Sequence, residues 1–144
     1  MLPEQKKDTV QGCLLEASHK LFQKTFEQVS KLETHPGQLP ILRLLKHSGG
    51  LSQREIAEIL KIKPPTVNVS IHRMEKSGYV TRRPDEKDQR VSRVYLTEKG
   101  SRLEAQVHEI MGKMEENLIQ DFTESELCLL KRMLIHLIDN LEKM

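Results

Sequence analysis

The sequence predicts a mainly α-helical fold that includes one small β-hairpin. Three observations lead to this prediction. Apolar residues recur at helical spacing toward both ends of the 144-residue chain. Two short helical segments, separated by a tight turn, occupy the middle. A strand–turn–strand pattern rich in arginine follows these two segments directly.

Composition limits the class of protein. A chain of 144 residues is most simply one domain, and because only 3% of its residues are aromatic, its core must consist mainly of Leu, Ile, Val and Met. No apolar run approaches the roughly 20 residues of a membrane span, and no signal peptide opens the chain. We therefore expect a cytoplasmic protein without membrane contact. A disulfide between the distant Cys13 and Cys128 is not expected in such a protein.

Charge is distributed unevenly along the chain. Between Arg43 and Arg102 there are 14 Lys and Arg against 7 Asp and Glu, a balance of +7. Since the whole chain carries +2, the remainder carries −5. A basic middle between acidic ends favours a surface that binds a polyanion. A solvated charged surface without a ligand is the alternative that charge alone leaves open.

Two helices are predicted in the first third of the chain. Apolar spacing indicates a helix from about Val10 to Leu32, and a breaker at Pro36 follows it. A second helix ends at the Ser-Gly-Gly segment 48–50. Pro40 fits this second helix only within the first turn, where no backbone N–H is needed.

A pair of helices joined by a tight turn is predicted next. A short helix should run from Gln53 to Leu60, because Ser52 and Glu55 have the spacing of a capping box. A longer helix then begins with two prolines and ends at Gly78. The residues expected to be buried in these two helices are Ile56, Ala57, Leu60, Val67, Ile71 and Met74.

The last part of the chain is predicted to form a hairpin and two long helices. Two strands, Tyr79–Arg83 and Val91–Leu96, flank a turn at Pro84–Gln89. Thr97 is expected to cap a long helix. Thr123, with a glutamate three residues later, forms a second capping box that opens the final helix.

Together these elements describe a winged helix-turn-helix domain at 36–100, between helical dimerisation segments at 1–35 and 101–144. In such a domain the second helix fits the major groove of DNA, where arginine and small polar side chains reach base edges. The hairpin, or wing, can reach the neighbouring minor groove. The apolar stripes at the chain ends exceed what so small a domain needs, so we expect a partner chain to bury them.

The middle of the sequence also carries a family resemblance. The motifs PPTV, RMEKSGYV, DQR and VYLTEKG, in this order, resemble the DNA-binding core of the MarR family of bacterial transcriptional regulators. The preceding HPGQLPIL is similar to that family's second helix, and the flanking helices match in placement, so the resemblance covers nearly the whole chain. Lys63 departs from the family pattern, which usually has a small capping residue just before the recognition helix.

The resemblance implies a function as well as a fold. It implies a homodimeric transcriptional regulator, by family habit a repressor, that binds a pseudo-palindromic duplex operator. It further implies a small-molecule effector, frequently an aromatic acid, in a cleft between the dimer helices and the winged domain. The residues of that cleft cannot be named from the sequence, and no cofactor is expected.

Three groups of residues are candidates for the DNA interface. Those predicted to face bases are Pro65, Thr66, Asn68, Val69, His72 and Arg73. Those predicted to lie near the DNA backbone are Ser52, Gln53, Arg54, Lys63, Lys76, Arg82, Arg83, Lys87 and Arg93. The resemblance assigns Arg90 to the minor groove and Asp88 to holding its guanidinium through charge-assisted hydrogen bonds. The alternative for each residue is a solvated side chain, and for Ser52 the helix cap is already a sufficient role.

Two other sensing mechanisms are alternatives to binding of an organic effector. One branch of the MarR family senses peroxides through a cysteine in the first helix that is paired with nearby tyrosines, which makes Cys13 a redox candidate. The only tyrosines here, Tyr79 and Tyr95, belong to the wing region, so a buried apolar thiol is the preferred interpretation. His108 with Glu109 resembles a fragment of the zinc-sensing branch without its clustered ligands.

Other classes of function are less well supported by the sequence. It has no nucleophile–base constellation, no phosphate-binding glycine loop and no paired metal ligands, so an enzyme is not expected. The rival from a different class is a winged-helix module that binds protein rather than DNA. Such a module would show no salt-dependent binding to duplex DNA.

Overall fold

A computed structural model describes residues 8–144 and confirms a mainly helical fold with one antiparallel hairpin. The elements are α1 (Val10–Val29), a short 3-10 helix (Pro36–Gln38), α2 (Leu39–His47), α3 (Gln53–Leu60), α4 (Pro64–Lys76), β1 (Val80–Pro84), β2 (Ser92–Leu96), α5 (Glu98–Leu118) and α6 (Glu124–Glu142). The chain forms two compact units, one up to Met111 and one from Gly112 to Met144. Across the described residues, no helix is both long and apolar enough to cross a membrane.

The predicted helix starts are confirmed by their caps. At the start of α3, the Ser52 hydroxyl oxygen accepts a hydrogen bond from the Glu55 N–H at 3.1 Å. Thr97 accepts in the same way from the Gly100 N–H, also at 3.1 Å, ahead of α5. Both halves of the capping box form at Thr123. These caps satisfy N–H groups that a first helical turn leaves without partners, so they fix where each helix begins.

The turn between α3 and α4 is short because one residue adopts a left-handed backbone conformation. Lys61 ends α3 with a φ of 54°, and the Ile62 N–H donates to the Ala57 carbonyl at 3.1 Å. α4 then begins with two prolines in its first turn, where their missing N–H groups are not needed. Lys63 makes no side-chain cap at this start, as its chemistry predicts.

The core of the winged domain lies between α2, α3, α4 and the hairpin. Val67, Ile71 and Met74 are fully buried, which confirms the apolar stripe predicted along α4, and they lie in one cluster with Ile56 of α3. Burying side chains of this size contributes about 1.5–3 kcal/mol each. Leu60 was expected to be buried but is half-buried, because as the last residue of α3 it packs at the edge of the cluster.

The strands of the hairpin begin one residue later than predicted. Val80 pairs with Leu96 at the base and Pro84 with Ser92 at the far end. Tyr79 was expected to open β1, but its N–H donates to the Met74 carbonyl at 2.9 Å and so closes the end of α4. Its side chain is buried, and its hydroxyl donates to a main-chain carbonyl before α2.

A third extended segment joins the hairpin, and the sequence did not predict it. The Gly50 N–H donates to the Val94 carbonyl at 3.0 Å, and the Val94 N–H donates to the Leu51 carbonyl at 2.8 Å. Gly50 has a φ of +81°, and a Cβ there would lie 2.9 Å from the Tyr95 hydroxyl, so the position requires glycine. The loop before α3 is thereby tied to β2.

Many apolar side chains remain exposed at the two ends of the chain. No described residue from 112 onward is buried. The large apolar residues exposed on α6 are Leu129, Met133, Leu134, Ile135, Ile138 and Leu141, and those on α1 are Val10, Leu15, Leu21, Phe22 and Phe26. A surface of this kind is typical of helices that associate with a second chain.

Helix α1 differs from the prediction in two respects. It ends at Val29 rather than near Leu32. Cys13 is exposed, so the expectation of a buried thiol is wrong for the single chain. The reason is that α1 buries only Gly12 and Val29, which leaves most of its circumference uncovered.

Candidate nucleic-acid interface

The outward side of α4 presents every residue predicted to face DNA bases. Because Val67, Ile71 and Met74 turn toward the core, the side chains between them turn toward solvent. The exposed residues are Pro65, Thr66, Asn68, Val69, His72, Arg73 and, at the end of the helix, Lys76. Two cations, an amide, a hydroxyl, an imidazole and two apolar groups suit the donors, acceptors and methyl groups of a major groove.

Four of the residues predicted to lie near the DNA backbone are at the starts of α3 and α4. Ser52 and Gln53 are half-buried, and the Ser52 hydroxyl is occupied by the helix cap. Arg54 is exposed and pairs with Glu58 one turn later, with Nε 3.2 Å from the carboxylate. Lys63 is exposed just before α4. Of these four residues, Arg54 and Lys63 present exposed cationic groups that suit a phosphate.

At the tip of the wing, Asp88 contacts Arg90 through both of its carboxylate oxygens. Arg90 Nε lies 3.1 Å from Oδ1 and Nη2 lies 3.4 Å from Oδ2. The backbone N–H of Arg90 also donates to Oδ1 at 3.1 Å. The Arg90 side chain is nevertheless 91% exposed. The carboxylate therefore holds the guanidinium from one side and leaves its other side open to a ligand.

Two other wing cations are exposed. The Arg83 guanidinium carbon lies 5.0 Å from the centre of the Tyr95 ring, a cation–π distance that orients it along the hairpin. Lys87 is exposed in the turn. Both side chains are accessible to a polyanion that follows the wing.

Arg82 was predicted to lie near the DNA backbone, but its guanidinium points toward the helices. Its Nε lies 3.4 Å from Glu75 Oε2 of α4. With the Gln53 amide oxygen turned toward it, both Nη atoms lie 3.0 Å from that oxygen. The Arg82 side chain is half-buried and connects β1 with α3 and α4.

Arg93 also points toward other parts of the protein, and the sequence did not indicate this. Nε donates to Asp85 Oδ1 at 2.8 Å, and Nη1 donates to the Gly50 carbonyl at 2.7 Å. Nη1 is also 3.7 Å from the Glu55 carboxylate. The hydrogen bond that Arg93 donates lowers the pKa of Asp85, with the Asp88 N–H adding to the effect. The same bond raises the pKa of Arg93.

A cavity of about 570 Å³ lies between α1, α2 and α5. The residues that line it are Ser18, Leu21, Phe22, Thr25, Pro36, Leu39, Pro40, Leu42, Arg43, Glu104, Val107, His108 and Met111. Its walls are mostly apolar, with Arg43, His108 and Glu104 as the ionisable groups. The sequence did not predict this cavity, because its lining residues come from three segments that are distant in the chain.

The described residues give little support to redox or metal sensing. The Tyr79 hydroxyl is engaged with the Glu33 carbonyl at 2.7 Å, and Tyr95 lies against Gly50 in the wing. Neither tyrosine therefore acts as the thiol partner that the peroxide-sensing interpretation of Cys13 requires. Among residues 8–144, no group of three His, Cys, Asp or Glu side chains is placed to hold a metal ion.

Comparison with known proteins identifies the family. The MarR family profile matches residues 35–92, from the 3-10 helix to the start of β2. The HTH-type transcriptional regulator YwoH of Bacillus subtilis is 33% identical over 103 residues, which are 72% of this chain and 74% of that protein. The chain belongs to the MarR family. The resemblance found in its motifs is thereby confirmed.

Two further matches bear on what members of this family do. The transcriptional repressor MdtR of Bacillus subtilis is 37% identical over 84 residues, 56% of this chain and about half of that protein (54%). The S. aureus protein MepR, in complex with DNA, matches with a TM-score of 0.81 and 25% identity over 94% of this chain and 98% of that chain. This member of the MarR family is a DNA-binding transcriptional regulator and not an enzyme, as its sequence predicted.

Proposed function

We propose that this chain forms a homodimer that represses transcription by binding a pseudo-palindromic operator, and that a small acid releases it. The exposed polar face of α4 beside a wing tipped by Arg90 carries the proposal. In this arrangement α4 enters the major groove and Arg90 the adjacent minor groove, so that one subunit contacts both grooves. The DNA complex of MepR, which has the same fold, supports this assignment.

The exposed apolar surfaces of α1 and α6 support the dimer. A chain that keeps large aliphatic and aromatic side chains exposed on both of its end helices needs a partner to bury them. A twofold axis makes the same surface serve both subunits and presents two α4 helices to the duplex. The operator should then contain two half-sites about one helical turn apart, roughly 34 Å.

Salt dependence separates this function from the protein-binding rival. Exposed cations at Arg54, Lys63, Arg83 and Lys87 displace counterions from phosphates, so affinity for duplex DNA should fall steeply between about 50 and 200 mM salt. The experiment is a gel shift with duplexes selected from random DNA by the purified protein. If the protein retains no duplex at both the low and the high salt concentration, the winged-helix module that binds protein is favoured.

Alanine variants of the recognition helix test the reading of bases by α4. Arg73→Ala and Asn68→Ala should each weaken binding to the selected operator by about 1–3 kcal/mol, with a smaller loss on random duplex, because a lost base contact affects only the correct sequence. Lys76→Ala provides the comparison and should weaken binding to the operator and to random duplex equally. Equal losses for Arg73→Ala on operator and random DNA contradict base reading and place this side chain on phosphate.

The cavity between α1, α2 and α5 is the proposed effector site. Its apolar walls suit a ring, and Arg43, one of its lining residues, carries a guanidinium that suits a carboxylate. A volume of about 570 Å³ is within the range of ligand pockets. A ligand held between α1 and α2 contacts both α1 and the winged domain, so it can change the spacing of the two α4 helices in a dimer.

A panel of benzoic acids and their neutral amides tests this site. The acids should raise the melting temperature and reduce operator affinity, since a ligand at about 100 times its Kd stabilises the folded state by about 2.7 kcal/mol. Arg43→Met should abolish both responses, whereas Lys46→Met, which removes an exposed cation from the same helix, should leave them intact. Equal responses of wild type and Arg43→Met would exclude Arg43 as the carboxylate partner.

A further inference from the structure

Arg93 links three parts of the winged domain that are distant in sequence. Its guanidinium donates to Asp85 at the start of the wing turn and to the Gly50 carbonyl in the loop before α3. It also lies 3.7 Å from Glu55 in the first turn of α3. The loop that it contacts is already joined to β2 through Val94. The wing and the start of α3 are therefore held together at one point.

The charges around Arg93 make it a poor ligand for phosphate. One guanidinium faces two carboxylates, Asp85 and Glu55, so the group of three carries a net charge of −1. The Arg93 side chain is only 32% exposed, against 91% for Arg90. A phosphate would have to compete with a 2.8 Å charge-assisted hydrogen bond and approach two anionic side chains.

We propose that Arg93 is a positioning residue that fixes the wing against the helix-turn-helix, so that Arg90 and α4 reach adjacent grooves together. This inference rests on the DNA-binding function proposed above. A two-stranded hairpin is marginally stable by itself and would lose conformational entropy on binding if it moved independently of α4. The Arg93 contacts remove that freedom before DNA is bound.

The two hydrogen bonds of the Arg93 guanidinium, to Asp85 and to the Gly50 carbonyl, give the first test, which requires no DNA. Arg93→Gln and Arg93→Lys should both accelerate hydrogen exchange at the Gly50 and Val94 amides, because neither side chain reproduces a planar fork that reaches Asp85 and Gly50 at once. Lys87→Gln, which removes an exposed cation from the same hairpin, is the control and should not alter exchange. Unchanged exchange in both Arg93 variants overturns the proposal.

Coupling with Arg90 gives the second test. Arg93→Gln should weaken operator binding about tenfold in the wild-type background but less than about twofold beside Arg90→Ala, since couplings within one network are commonly of this size. A side chain that binds phosphate directly gives the same loss in both backgrounds. Equal losses therefore assign Arg93 to phosphate and refute positioning.

A comparison of two acids in the wing gives the third test. Asp85→Asn and Glu86→Gln each remove one negative charge from adjacent positions, and Glu86 is exposed. If Arg93 positions the wing, Asp85→Asn weakens operator binding while Glu86→Gln leaves it unchanged or slightly stronger. If Arg93 binds phosphate, Asp85→Asn frees it and strengthens binding, which contradicts the proposal. If wild type binds no duplex, the proposed function fails, and the exchange measurement alone decides whether Arg93 fixes the wing.

Discussion

Replacing Arg90 with alanine is expected to weaken operator binding at least about a hundredfold while the dimer and its melting temperature stay nearly unchanged. A charge-assisted contact is worth about 1.5–3 kcal/mol, and a dimer loses the contact in both wings. The folded protein loses little, because the Arg90 side chain is 91% exposed and surface substitutions of this kind change stability by about 0.5 kcal/mol or less. Fluorescence anisotropy with labelled operator and thermal unfolding measure the two quantities.

Whether Asp88→Ala weakens or strengthens operator binding shows whether the Asp88 carboxylate orients Arg90. Asp88→Ala removes a negative charge next to DNA and, on simple repulsion, should strengthen binding. If the carboxylate orients Arg90 through its contacts at 3.1 and 3.4 Å, the variant instead binds more weakly. Asp88→Asn keeps an acceptor for the Arg90 backbone N–H and isolates the effect of charge. Glu86→Gln is the matched control for charge. Tighter binding by Asp88→Ala rules out the orienting role.

Introducing a carboxylate on the apolar side of α6 is expected to separate the dimer. The wild-type protein should have twice the 16.7 kDa mass of the chain by light scattering at micromolar concentration. Ile138, which is 53% exposed in the single chain, lies on the stripe that we assign to the interface. Ile138→Asp places two unpaired charges at a twofold interface, and each costs about 3–5 kcal/mol. The dissociation constant should rise at least about a hundredfold, so that the monomer predominates.

Arg132 provides the control for this substitution. It is exposed on the polar side of α6, one heptad from the exposed Ser125 and Asp139 and about 120° around the helix from Ile138, so Arg132→Asp introduces the same side chain away from the apolar stripe. This variant should remain a dimer. Circular dichroism of Ile138→Asp should show retained helix, because α6 keeps both halves of its capping box. A monomeric wild-type protein would contradict the dimer. A dimer that Ile138→Asp leaves intact would show that this side of α6 is not part of the interface.

Local features of the fold were predictable because their causes lie within a few residues. The Ser52 cap acts on an N–H three positions away, and the buried stripe of α4 follows from helical periodicity alone. The exposure of the predicted base-facing residues follows from the same periodicity. The contact between Asp88 and Arg90 joins residues two positions apart, so a turn suffices to form it. For these features the sequence contains nearly all of the physical information.

Contacts between distant residues were not predictable. The cavity requires α1, α2 and α5 to meet, and the exposure of Cys13 depends on which side of α1 is covered. The wing arginines show the same limit. Composition indicated a basic hairpin but not which guanidinium groups face the protein.

By itself, the sequence determined the capped starts of α3, α5 and α6, the sidedness of α4 and the presence of an arginine-rich wing, because these depend on short-range hydrogen bonding and periodicity. The tertiary structure alone decided that Arg82 and Arg93 connect the wing to the helices whereas Arg90 remains exposed. The physical reason is that Arg93 and Gly50 are 43 residues apart in the sequence and lie together because the Gly50–Leu51 segment pairs with Val94.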